Sequence, residues 1–238
     1  MRRIICIMLL CAFVSFCSCS PAEISSTADT AGPILANVET VERELPDGRI
    51  KIDYIQISGL GNPPIMNMLN GLLQDVSTDV YILSGEKAVP VTVTADYAIL
   101  GHKYISIWTV HTVYKKDADY PETKMNAKIF DLETGEENEN FSDFVRIGNN
   151  AKNASLKSAI KSSKFVQKHP AELQKDAADT IADTLIKTDG LGVGFYLTQD
   201  SFGLYMNGQS HENGGYWAYE AKYSDIKSLL TKDLLKLI

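Results

Sequence analysis

The chain has 238 residues, 45% of them hydrophobic, with a formal net charge of −7. That length supports one domain with a sizeable core, or two closely packed lobes. All four cysteines fall within the first nineteen residues, so the chain beyond Cys19 has no disulfide and no thiolate metal site. Its acidic balance would be repelled by phosphates, which excludes nucleic acid as a partner.

The N-terminus differs from the rest. Arg2-Arg3 precedes an apolar run, Ile4–Phe16, interrupted only by Ser15. As a helix this run rises about 20 Å, short of the roughly 20 residues a membrane span requires. A basic start, a short apolar run and small residues after it mark an export signal over residues 1–18. Cleavage before Cys19, with a lipid on its sulfur, would make the product a bacterial lipoprotein. Ser18 is the small residue expected before the cut, while Phe16 and Cys17 depart from the usual pattern, so a plain secretory signal is the alternative. The expected location is the cell envelope outside the cytoplasm, lipid-anchored to a membrane, or secreted if Cys19 carries no lipid. Loss of Arg2 and Arg3 leaves 21 basic against 30 acidic residues, a net charge of −9.

Residues 19–36 read as a tether. Ser20–Ala36 is rich in Ser, Thr, Ala, Pro and Gly without periodicity, and would hold the following domain, residues 37–238, about 20–25 Å from its anchor. Val38–Leu45 and Arg49–Ile57 flank Pro46-Asp47-Gly48, a turn sequence that predicts an opening hairpin. Asn62-Pro63-Pro64 starts a helix with the stripe Ile65, Leu69, Leu72, Leu73, Val76, Val80 and Leu83.

In Val91–Ile99, the apolar set Val91, Val93, Ala95, Tyr97 and Ile99 alternates with Thr92, Thr94, Asp96 and Ala98, which predicts a sheet with one buried face. Strands follow at Lys103–Tyr114, containing Trp108 and His111, and at Lys124–Leu132. Phe141–Val145 is a short helical turn. Ala151–Val166 and Pro170–Ile186 read as two helices. A hairpin about Gln199-Asp200-Ser201, a strand at Tyr216–Tyr223 and a terminal helix capped by Ser224 complete the chain. Strands and helices without βαβ alternation imply an α+β fold, an antiparallel sheet with helices packed on it.

No residue set spells out a reaction. The four histidines, His102, His111, His169 and His211, lack metal-ligand spacing, and no Gly-x-Ser-x-Gly elbow is present. Gly190–Gly194 lacks the Lys-Ser/Thr of a phosphate loop. Asp117/Asp119, Glu136/Glu137 and Glu139 read as solvated surface acids rather than glycosidase or calcium groups. No cofactor and no metal are expected. The aromatic-rich segment 193–223 is the best candidate for ligand recognition. Period two sets Trp217 and Tyr219 on one face and Tyr216 on the other, with Tyr196 and Tyr205 out of phase with their apolar neighbours. Tyr196, Tyr205, Asn207, His211, Tyr216, Trp217 and Tyr219 are the candidate ligand-binding residues, with a core packed under helices as the competing reading.

Three stretches resemble a known family. Ala127–Gly135 followed by Phe141–Val145 is similar to that family's strand, Asp-Leu-x-Thr-Gly turn and short helix. Gly194–Asp200 with Gly203–Asn207 resembles its Phe-Tyr-Leu-Thr hairpin, and Tyr216–Tyr223 running into Ser224–Leu230 resembles its closing strand and helix. This is the RsiV-like extracytoplasmic domain family, which includes the N-terminal domain of PdaC-type peptidoglycan deacetylases and is largely of unknown function. The resemblance covers roughly residues 40–235. It implies an α+β domain outside the cytoplasm that in some relatives binds a protein ligand. Asp117–Lys124 stands where relatives have a Gly-Gly-Ala-His segment, and neither a sigma-binding helix nor a deacetylase metal motif accompanies the domain. The function expected is therefore non-enzymatic binding of a protein or cell-wall glycan in the envelope, the alternatives being a peptidoglycan hydrolase and a purely structural envelope protein.

Overall fold

The computed structural model describes residues 33–46, 48–83, 90–116, 119–148, 150–168, 177–188, 192–208 and 215–238. The expected leader, Cys19 and most of the expected tether lie outside the described residues, as do His169 and His211. Strand β1 (Leu35–Leu45) turns at Pro46 into β2 (Gly48–Ser58), the two pairing antiparallel over their whole length. It begins two residues inside the stretch expected as tether. Helix α1 (Pro63–Leu83) follows, its first turn capped by the Asn62 carboxamide, which accepts the Ile65 N–H at 3.4 Å. Leu69, Leu73 and Val76 are buried, whereas Leu72 is exposed at 36% because it falls just off the stripe facing the sheet.

Strands β3 (Val91–Leu100), β4 (Tyr104–Val113) and β5 (Glu122–Asp131) complete a first sheet in the order β1-β2-β3-β4-β5. The sheet is mixed rather than wholly antiparallel, because α1 carries the chain back so that β3 joins β2 in parallel, pairing Ile50–Ile52 with Val91–Val93. Asp131 ends β5 by a side-chain turn. Its Oδ1 accepts the N–H groups of Glu133 and Thr134 at 2.8 and 3.1 Å, and Gly135 takes φ +76°.

The second sheet has the order β6-β9-β8-β7, from β6 (Val166–Gln167), β7 (Gly194–Leu197), β8 (Ser201–Asn207) and β9 (Tyr216–Lys222). Helix α2 (Asn150–Lys161) stops short of the expected Val166, which lies in β6, and α3 spans Ala177–Lys187. The terminal helix is broken. One turn at Tyr223–Ile226 passes into 3₁₀ segments at Lys227–Leu229 and Leu234–Lys236, and Ser224 lies inside the turn, its hydroxyl donating to Asp225 Oδ1 rather than capping.

Two core regions organise these layers. Leu69, Leu73 and Val76 of α1 pack with Ile55, Ile57, Ile105, Ile107 and Phe130 on one face of the first sheet. Phe202, Leu204 and Trp217 of the second sheet pack with Leu156, Ile160, Ile181 and Leu185 of α2 and α3. Burial of such side chains contributes about 1.5–3 kcal/mol each before the entropy of ordering them is counted. Between the sheets lies a smaller cluster of Met125, Tyr196, Tyr205, Tyr216 and Ala218, with Trp108, Val110 and Ala127 against it. The fold is α+β, as expected from the order of elements.

Candidate functional site

The seam between the two sheets gathers most of the expected residues, and uses several of them structurally. In β7, β8 and β9 the register places Gly194 opposite Tyr205, Tyr205 opposite Ala218, and Tyr196 opposite Gly203. Each tyrosine ring lies flat across a glycine. A Cβ on Gly203 would stand 2.2 Å from the Tyr196 ring, and one on Gly194 would stand 2.0 Å from that of Tyr205. Tyr196, Tyr205 and Tyr216 thus share one face, in diagonal rather than direct contact positions, and that face meets the first sheet.

Trp217 and Tyr219 point the other way, into the core under α2 and α3, where Trp217 has 0% exposure. The competing core reading is the one that describes their surroundings: neither lies on an open surface. Tyr205 and Asn207 instead satisfy the open edge of β5. Asn207 accepts the Met125 N–H at 2.9 Å and donates to the Met125 carbonyl at 2.7 Å, and the Tyr205 hydroxyl accepts the Ala127 N–H at 3.1 Å. Two side chains thereby do what a sixth strand would do for an exposed edge. Similarly, the buried Ser106 hydroxyl accepts the Leu197 N–H at 2.9 Å, tying β7 to β4. The loop that carries His211 closes between Gly208 and Gly215, whose N–H and carbonyl bond at 2.8 Å, while residues 209–214 lie outside the described set.

Beside this packed seam the sheets part into a cleft of about 630 Å³. One wall is the polar face of β3 and β4, with Thr94, Asp96 and the half-buried Trp108. The facing wall is Tyr196, Glu220, Lys168 and the 198–200 turn. Trp108 and Tyr196 pack ring on ring at the base of the cleft, centroids 5.1 Å apart and planes inclined at 35°. Burial, then the charge of Glu220 beside it, pushes the Tyr196 phenol up, so it stays a neutral donor; it bonds Glu220 Oε1 at 3.3 Å. Glu220, largely buried, also pairs with the more exposed Lys168. At the rim the hydroxyls of Ser201 and Thr198 donate to Asp200 at 2.8 and 3.1 Å and hold its carboxyl below the usual range.

Three acidic groups and one basic group therefore surround an aromatic floor. This arrangement suits a ligand with hydroxyl or amine donors and an apolar face, and disfavours an anion. Asp96, Trp108, Lys168, Asp200 and Glu220 were not among the expected site residues. Asp96 alternates as a solvent-facing strand position, and nothing in sequence shows that a second sheet comes to stand opposite it.

A second, smaller cavity of about 270 Å³ lies across β5, near Tyr205 and Phe195. Its polar side is Lys128, bonded to Glu137 at 2.5 Å and to Glu139 at 3.4 Å. His111, on the opposite face of the first sheet, is an ordinary strand histidine: 1% exposed, with Nε2 2.6 Å from Thr109 Oγ1 and, among the described residues, no partner for Nδ1. His102 lies in the exposed turn at the far end of β4, at φ +57°. Among the described residues no three His, Cys, Asp or Glu side chains converge as a metal site, and no helix is long and apolar enough to cross a membrane.

No family model matches the sequence, and no curated protein does. Solved structures do resemble the fold. A DUF3298 family protein from Pseudomonas aeruginosa PAO1 is 11% identical, with a TM-score of 0.49 over 86% of this chain and 97% of its own. A member of the DUF3298 family from Bacteroides fragilis NCTC 9343 is 10% identical, with a TM-score of 0.50 over 86% and 96%. At that identity the likeness is one of fold.

Proposed function

We propose that this chain, whose structural neighbours are DUF3298 family proteins, is an RsiV-like binding module held outside the cytoplasm by a lipid on Cys19. On this reading it performs no reaction of its own and captures a cell-wall glycan in the cleft between its sheets. The observation that carries the proposal is the half-buried Trp108 ring, backed by Tyr196 and flanked by Asp96, Asp200 and Glu220. An aromatic face takes the apolar side of a sugar ring, while carboxyl oxygens accept its hydroxyl protons. The acidic surroundings argue against phosphorylated ligands. Supporting the location are the basic start, the short apolar run and Ser18 before Cys19.

The test is co-sedimentation with insoluble peptidoglycan, with mass spectrometry of the mature N-terminus from membranes. Asp96→Asn should release most of the bound protein while leaving thermal unfolding nearly unchanged, and Trp108→Phe, which keeps an aromatic ring against Tyr196, should weaken binding with only a small loss of stability. The N-terminal peptide should begin at a lipid-modified Cys19. Sedimentation of both variants like the parent would sink the cleft assignment, and release of soluble fragments from the wall would show an enzyme instead.

A further inference from the structure

The free edge of the first sheet is only partly protected, by the charges of Glu39, Glu42, Arg43 and Glu44. Strand β1 pairs with β2 over all eleven of its residues without a bulge, and no strand pairs with its other side among the described residues. It contains neither lysine nor proline, the residues that most often blunt an exposed edge. It also leaves three aliphatic side chains in solvent: Leu35 at 59%, Val38 at 44% and Val41 at 50% exposure. A long, unbulged edge bearing exposed aliphatics is a template for another strand.

We propose that the occupant is the β1 strand of a second copy of this chain, added antiparallel about a two-fold axis at Val41. Charge selects the register. Glu39, Val41 and Arg43 alternate onto the same face of β1. With Val41 opposite its own copy, Glu39 of each chain stands opposite Arg43 of the other, giving two opposite-charge pairs about a central Val–Val contact. Other registers do worse. Centring on Glu39 or on Glu42 sets like charges directly across from each other, and centring on Thr40 leaves every charge facing a neutral residue. Glu42, on the other face, is already matched within its own chain by Lys51 at 3.7 Å. A C2 interface of this kind is self-complementary by construction. It joins two five-stranded sheets into one of ten, and it does not depend on the cleft assignment.

Two measurements test it. In the full chain with its four cysteines replaced by serine, Val41→Cys provides the sole thiol. Opposed residues on paired strands have Cβ atoms about 4.5–5.5 Å apart, so mild oxidation should yield a covalent dimer. Val38→Cys should stay monomeric, because it and its copy would lie roughly 20 Å apart along the strands. By light scattering the parent should show twice the monomer mass, Glu39→Arg or Arg43→Glu should weaken association about tenfold, and the double reversal should restore it. A monomer at every concentration would overturn the proposal. So would cross-linking at position 38 in place of 41, or association indifferent to both reversals, the result expected if another partner or surface were involved.

Discussion

Glycine and tyrosine at the seam are matched one to one. Tyr196 lies on Gly203 and Tyr205 on Gly194, so neither ring can be raised without opening the contact between sheets. Gly203→Ala is expected to destabilise the protein by about 1–3 kcal/mol, the usual cost of overpacking, because the new Cβ would stand 2.2 Å from the Tyr196 ring and force it off its packing on Trp108. Denaturant titration checks this, and an unchanged midpoint would contradict it. Sequence alone shows the Gly and Tyr positions but not their register, which is set where β7 meets β8. His111 is the other informative residue. Burial holds its pKa at about 4, below the ordinary 6.5. Its folded-state pKa lies below the unfolded one, so its contribution is present above pH 6.5 and lost as pH falls from there towards 4. That loss amounts to about 3 kcal/mol, and His111→Leu should flatten this acid limb of the stability profile. An unaltered slope between those pH values would show that the imidazole is not kept neutral by the fold.

Among the elements, types and the two hairpin pairings, β1 with β2 and β7 with β8, are legible in the sequence, and the non-local pairings are not. Pro46-Asp47-Gly48, Asn62-Pro63-Pro64 and the alternation of residues 91–99 each has a local cause, and each marks the element expected. Tyr223–Leu230 has a helical apolar spacing, yet the structure breaks the expected terminal helix after Ile226. Its Leu229 and Leu230 are instead drawn back to the 141–146 turn, where Arg146 N–H donates to the Leu229 carbonyl at 2.8 Å and Thr231 N–H to that of Phe144 at 3.0 Å. Asn207 illustrates the same limit. In sequence it reads as a polar strand end suited to a ligand, and in the fold it replaces a missing strand beside Met125. Asn207→Ala should cost about 1–3 kcal/mol, since the Met125 N–H and carbonyl lose both partners. Asn207→Asp should recover only part of that, keeping the acceptor for the N–H and setting a carboxylate against the carbonyl. Equal stability of the parent and both variants would remove the clamp from the account.

For the whole molecule, the α+β class followed from the order of elements, whereas the cleft arises only where two sheets meet. The alternation of β3 suggested one buried and one wet face. In the fold Ala98 at one end of the supposedly wet face is covered, and Thr94 and Asp96 further along are left open. A strand covered at one end and open at the other is how a packed seam becomes a cleft. Trp108 and Trp217, the only two tryptophans, sit in different surroundings: one faces the cleft, the other is sealed in the core. Tryptophan emission during titration with soluble peptidoglycan fragments reads that difference most directly. The account predicts a saturable change that persists in Trp217→Phe and disappears in Trp108→Phe; a change carried by Trp217, or none with either residue present, would contradict it.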